Sequence, residues 1–250
     1  MSTETDHILI GAYWHDRKVS AGRFINACFE FLMELKAISP VFGERCMDVK
    51  DRFEMVPNDF DSFQQLMIER LDDPDYAYIN PDSADRSFTL ESTLLQGFVA
   101  SFSDPDPNAT DENAISIRAM AGAYGAAASA GSALIDLPPA HLNMLEDSQT
   151  SRRLLDVLIE VWKPEFASMY SRNLIRLLDP FRKKRPCGVW MYFADSAAAS
   201  AVCDAASIES TETNGIIIHI NVLMPWTETI DVIRPCCERL SAAGFLDRAT

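Results

Sequence analysis

Apolar residues in this chain recur at two spacings, and the two change over without regular alternation. That pattern restricts the fold more than any single motif does. Between residues 20 and 39, Phe24, Cys28, Phe31, Leu35 and Ile38 fall at steps of three and four. One face of an amphipathic helix has this spacing, with Ser20 placed to accept a hydrogen bond from a free amide of the first turn and Pro40 placed to stop it. Before it, HILIGAYW at 7–14 is a short β-rich run. Phe60, Phe63, Met67 and Leu71 define a second helical face, and Ser151, Leu155, Leu158 and Trp162 a third that Pro164 ends.

Strand-like runs follow in other places: AISIRAMAGAY and SALIDLPP flank a small-residue connection and predict an antiparallel pair, and FASMY (166–170), GVWMYF (188–193) and GIIIHINVL (215–223) predict three more strands. A closing helix is expected from about residue 231 to 243, with Gly244 as its cap and Pro235 tolerable only within its first turn. Residues 88–102 fit two short strands or a strand and a helical turn, and 104–113 read as a polar loop. Because strands and helices do not alternate as βαβ units, the pattern predicts an α+β fold: a largely antiparallel sheet with packed amphipathic helices, in one compact body spanning residues 1–250.

The chain has 250 residues, 48% of them hydrophobic, which suffices for a sizeable core and excludes a disordered chain. Its formal net charge is −15. That acidity argues against phosphate-neutralising contact with nucleic acid and favours a basic partner or no charged partner. The excess is concentrated: residues 44–112 hold 17 acids against 5 bases. Within that stretch Asp61, Gln65, Glu69 and Asp72 recur at steps of four, four and three on the second helix, and set a polar row opposite its apolar face. Asp73 and Asp75 continue the acids, and Tyr76, Tyr78 and Phe88 lie among them as candidate aromatic anchors. These residues form the candidate partner-binding surface.

Other chemistry has less support. GAYGAAASAG at 122–131 is neither GxGxxG nor GxxxxGK[ST], and no lysine follows to meet a phosphate, so it reads as a hairpin connection. The four histidines, His7, His15, His141 and His219, include no HExxH and no pair at i,i+4. His219 reads as a strand residue on the less buried face. Asp72, Asp73 and Asp75 lead into Tyr76 rather than a glycine turn, unlike a calcium loop, so no metal and no cofactor are expected. Arg182, Lys183, Lys184 and Arg185 read as a solvated turn.

Cys28, Cys46, Cys187, Cys203, Cys236 and Cys237 include no CxxC and are expected to be reduced, mostly buried thiols of a cytoplasmic chain. The first fourteen residues lack a basic region followed by an apolar run of signal length, and the longest charge-free stretch, 119–135, is too rich in Ala, Gly and Ser for a membrane span.

Three pieces together resemble the immunity protein 52 family of bacterial polymorphic-toxin systems. They are the opening GAYWHDRKVSAGRFINACFEFLMELKAISPVF, then Trp162-Lys163-Pro164 followed by a strand and by GVWMYF, and finally GIIIHI with a closing helix into Ala242-Ala243-Gly244-Phe245-Leu246. The resemblance implies a non-enzymatic inhibitor that binds a cognate toxin domain, often a restriction-endonuclease-like nuclease delivered between competing bacteria, in some cases by type VI secretion. Two other readings stand beside it. One is a small cytoplasmic hydrolase in which His15 or His219 works with a carboxylate and a Ser or Cys; the other is a general acidic interaction protein.

Overall fold

The computed structural model describes residues 6–15, 17–72, 88–94, 96–106, 108–110, 112–123, 131–179, 184–222, 224 and 226–247. Along the chain lie β1 (Ile8–Trp14), α1 (Ala21–Ile38), β2 (Cys46–Val49), β3 (Arg52–Met55), α2 (Phe60–Leu71), β4 (Gln96–Phe102), β5 (Ser116–Ala123), β6 (Gly131–Leu137) and α3 (Ser148–Trp162). β7 (Phe166–Ser171), α4 (Arg172–Leu178), β8 (Trp190–Phe193), β9 (Ala206–Ser210), β10 (Ile216–Ile220) and α5 (Ile230–Ala242) complete it. Eight strands share one sheet in the order β4-β5-β6-β1-β7-β8-β10-β9, and β2 with β3 forms a separate hairpin. The pairs β4/β5, β7/β8, β8/β10 and β10/β9 are all antiparallel. The fold is α+β, as the two spacings in the sequence predict.

Close contacts divide the chain into two units. One comprises Tyr13–Thr110 and Ala114–Leu134; the other comprises Met1–Ala12, Asp111–Asn113 and Ile135–Thr250. In the first, β4 and β5 place on one face Phe98 opposite Ala121, then Ala100 opposite Ala119, then Phe102 opposite Ile117, so that a stretch of small residues lies between two phenylalanines. The alanines leave room for helix side chains, so Phe24 of α1 stacks on Phe98 with ring centroids 5.5 Å apart, and Phe63 of α2 lies 6.3 Å from Phe102. Phe29 joins the two helices by meeting both Phe60 and Phe63. Each fully buried phenylalanine contributes about 1.5–3 kcal/mol, with a further increment from the ring-ring contacts.

The start of α1 is satisfied from two directions. Ser20 Oγ accepts from the Arg23 amide, as its position in the sequence predicts, while the amides of Ala21 and Gly22 donate to the carbonyls of Ser92 and Leu90. The helix ends at Ile38, ahead of Pro40.

In the second unit, β7 is buried at all six positions because both faces of its sheet are covered. Phe166, Met191 and Phe193 look toward α5 and the chain end, where Phe245 meets Phe193 edge to face. α3 covers the opposite face, and its Arg152 pairs with Glu209 of β9. Gly188 is required where β7 and the approach to β8 come together: a Cβ there would lie 2.0 Å from the Met169 carbonyl oxygen.

Three expectations need correction here. Cys187 and Cys237 form a disulfide with Cα atoms 5.8 Å apart, a spacing that suits such a bond. Cys28, Cys46, Cys203 and Cys236 are free and buried, as expected. Pro235 is the sixth residue of α5, beyond its first turn. The carbonyl it deprives of a partner belongs to Asp231, an exposed residue whose carbonyl water can reach, so the helix continues.

Nor do the two described members of the basic run float in solvent. Lys184 bonds Ser241, and the Arg185 guanidinium sits 5.6 Å above the Phe166 ring with Glu165 at 3.5 Å. Among the described residues no helix is long and apolar enough to cross a membrane.

Candidate partner-binding surface

The acidic helix α2 begins at Asp59, whose side chain accepts from the Ser62 amide at 2.9 Å; that bond holds the Asp59 carboxyl below the ordinary carboxylate range. From this cap, Phe63, Met67 and Leu71 turn inward. Asp61, Gln65 and Asp72 are exposed, so the polar row is present on the face the periodicity predicts.

Glu69 differs from the rest of the row. It is half-buried, and its carboxylate accepts from Arg52 at 3.0 Å with Lys50 at 3.9 Å. A neighbouring hairpin therefore neutralises one of the predicted carboxylates. Asp73, Asp75, Tyr76 and Tyr78 lie outside the described residues. Phe88, the third candidate anchor, is half-buried and packs edge to face on Phe98 at 6.4 Å, which makes it part of the core margin rather than a protruding anchor.

The neighbouring hairpin is the part of the surface that the sequence pattern does not announce. β2 and β3 pair antiparallel with Val49 opposite Arg52, which leaves Lys50 and Asp51 as a two-residue turn, both at positive φ. The twist of such a turn matches that of the flanking strands, although neither residue is the glycine or asparagine that favours it. At the root of the hairpin Arg45 is only 3% exposed. Its guanidinium donates to the carbonyls of Glu44 and Val41 and lies 3.6 Å from Asp104, while burial pulls its pKa down against the pull of that carboxylate. The Cys46 and Ser103 amides and carbonyls exchange bonds of 3.0 and 2.9 Å, which fasten β2 to the end of β4.

Facing residues distribute unequally over the two sides of the hairpin. Met47 and Val49 are buried and share their side with Glu54 and Arg52, toward α2. Phe53 and Met55 occupy the other side with Asp48 and Cys46, and they are 79% and 51% exposed.

Three of the four histidines have defined partners. His7 Nδ1 and Asp136 lie 2.8 Å apart, and Arg172 pairs with the second oxygen of that carboxylate. His141 Nε2 meets the Asn113 carbonyl at 3.1 Å. His219 lies half-buried on the sheet, as expected, with its ring stacked on Trp190 at 3.9 Å; Ser207 Oγ bonds its backbone oxygen and not its ring. Ser171 is fully buried, donates to Asp6 and caps α4 through the Leu174 amide. These contacts use the polar groups to join elements. Among the described residues, no three His, Cys, Asp or Glu side chains are grouped to hold a metal ion.

Together, the fold and this surface define the class as far as an α+β chain whose exposed features include an acidic helix face and an apolar hairpin face. No family model matches the chain, and no curated protein does. Among solved structures it is similar in fold to the Pseudomonas aeruginosa T6SS protein PA0821, with 7% sequence identity, a TM-score of 0.50, and coverage of 92% of this chain and 73% of that one. At that identity the likeness is one of fold alone.

Proposed function

We propose that this protein is an immunity protein that binds and neutralises a cognate bacterial toxin domain by stoichiometric protein-protein contact, without catalysis of its own. The observation that carries this reading is the fold it shares over 92% of its length with a T6SS protein, in a chain whose beginning, middle and end resemble an immunity family in the same order. The charge distribution adds physical support. A nuclease domain that grips a phosphate backbone presents a basic cleft, and a compact acidic surface is steered to such a cleft and held there by charge-assisted hydrogen bonds. The site of action proposed is the bacterial cytoplasm, where a reducing thiol pool would keep Cys187 and Cys237 as adjacent thiols.

Co-expression tests this directly. The toxin domain encoded by the gene beside this one is induced in a bacterial host with and without the chain, and survival and co-purification are scored. Rescue together with a complex of fixed stoichiometry is the expected result. Absence of both rescue and complex overturns the reading, as does conversion of a small-molecule substrate by the purified chain with rescue but no complex.

A further inference from the structure

Phe53 is the most exposed large apolar side chain among the described residues, and Met55, two positions on, shares its face of β3. Nothing in a four-residue strand compels that arrangement, since a lone phenylalanine in water gains by folding inward. The hairpin is nevertheless anchored in this pose: Arg45 is buried at its root, the Cys46 and Ser103 bonds fasten one side, and Lys50 and Arg52 at its tip face Glu69. Anchored presentation of an aromatic residue reduces the ordering cost of binding.

On this face of the ladder the one charged residue, Asp48, is an acid. Of the bases between residues 44 and 72, Arg45 is buried, Lys50 and Arg52 are drawn to Glu69 and Glu54, and Arg70 is half-buried and engaged. Asp48 lies directly across the ladder from Phe53, and Asp51 is exposed in the adjoining turn. Two such faces from separate copies of the chain would repel, and an anionic lipid surface would repel them too. An apolar pocket rimmed by Lys and Arg on a basic protein complements them.

We infer that the Phe53–Met55 face of the β2–β3 hairpin is the surface on which the partner seats, with Phe53 entering an apolar pocket ringed by basic side chains of the toxin domain. This rests on the immunity reading and assigns its contact. Phe53 is the anchor that fixes residence time, and Asp48 and Asp51 set the approach.

The test uses the full chain and the toxin domain encoded by the adjacent gene, immobilised for surface plasmon resonance. Phe53→Ala should weaken binding about thirtyfold or more, chiefly through faster dissociation, and Phe53→Tyr should restore most of it. Asp48→Asn with Asp51→Asn should slow association while leaving dissociation nearly unchanged. Leu177→Ala, which removes another exposed apolar side chain on α4, should leave the affinity as it is. Thermal melts of each variant should match the wild type, because none of these side chains is buried.

A Phe53→Ala/Met55→Ala double variant that binds within about threefold of wild type overturns this inference and leaves the immunity reading intact. Failure of the wild-type chain to bind overturns both. Concentration-dependent dimers of the wild type that Phe53→Ala abolishes also overturn it, by assigning the face to a second copy.

Discussion

At the scale of single residues, His219 shows how one buried surface sets a pH response. Burial of its ring beside Trp190 disfavours the charged form and moves its pKa below the ordinary value of 6.5. The unfolded chain therefore binds a proton more readily than the folded one between the depressed pKa and 6.5, and in that window stability rises with pH. The contribution is fully present above the unfolded value and is lost as pH falls through 6.5 toward the folded one. His219→Phe keeps a flat ring against Trp190 and removes the proton. Urea midpoints of the wild type should fall as the buffer is taken below pH 6.5, and the variant should show a shallower fall over the same interval; parallel slopes would assign the pH dependence to other groups.

At the scale of elements, the Cys187–Cys237 bond ties the segment entering β8 to the middle of α5 across 50 residues of sequence. A cross-link over a loop of that size stabilises by roughly 2–4 kcal/mol, mainly by restricting the unfolded chain. The double replacement Cys187→Ser/Cys237→Ser should lower the unfolding free energy by about that amount, and dithiothreitol should lower the wild type similarly while leaving the variant unchanged. Acid quenching of producing cells followed by alkylation in denaturant reads the compartment, since four modified cysteines mean the bond is present and six mean it is reduced. The sequence did not disclose this pair because adjacent Cys236 and Cys237 leave a helix in different directions, and only the packing of α5 chooses which of them meets Cys187. Elements with long periodic faces, such as α1, α2 and α3, were legible from residue spacing. The β2–β3 hairpin and β9 were not: each strand is four or five residues long and mixes charged with apolar side chains, and β9 buries little of itself at the sheet margin. The same brevity concealed the apolar anchor, because the alternation Arg52-Phe53-Glu54-Met55 ordinarily signals a strand with phenylalanine inside, and here that side faces solvent.

At the scale of the whole molecule, the charge of −15 acts beyond any one contact. Fields from clustered carboxylates reach about one Debye length, roughly 10 Å at 0.1 M salt, so they govern how fast a basic partner arrives more than how long it stays. Glu69 is a poor place to test this, since its charge is balanced by Arg52 and Lys50 and its removal loosens the hairpin. Asp61 and Asp72 are better, being exposed on α2 and remote from the bonds that hold it, apart from the Asp72 amide that closes the last turn and survives substitution of the side chain. Asp61→Asn/Asp72→Asn should bind the toxin domain proposed as the partner with slower association and near-normal dissociation. Between about 50 and 500 mM salt, wild-type association should fall steeply and that of the variant less so, because screening removes a field the variant has already lost in part. Association rates that ignore both salt and substitution would mean that the acids serve solubility alone, and the work of recognition would then fall on the apolar face of the hairpin.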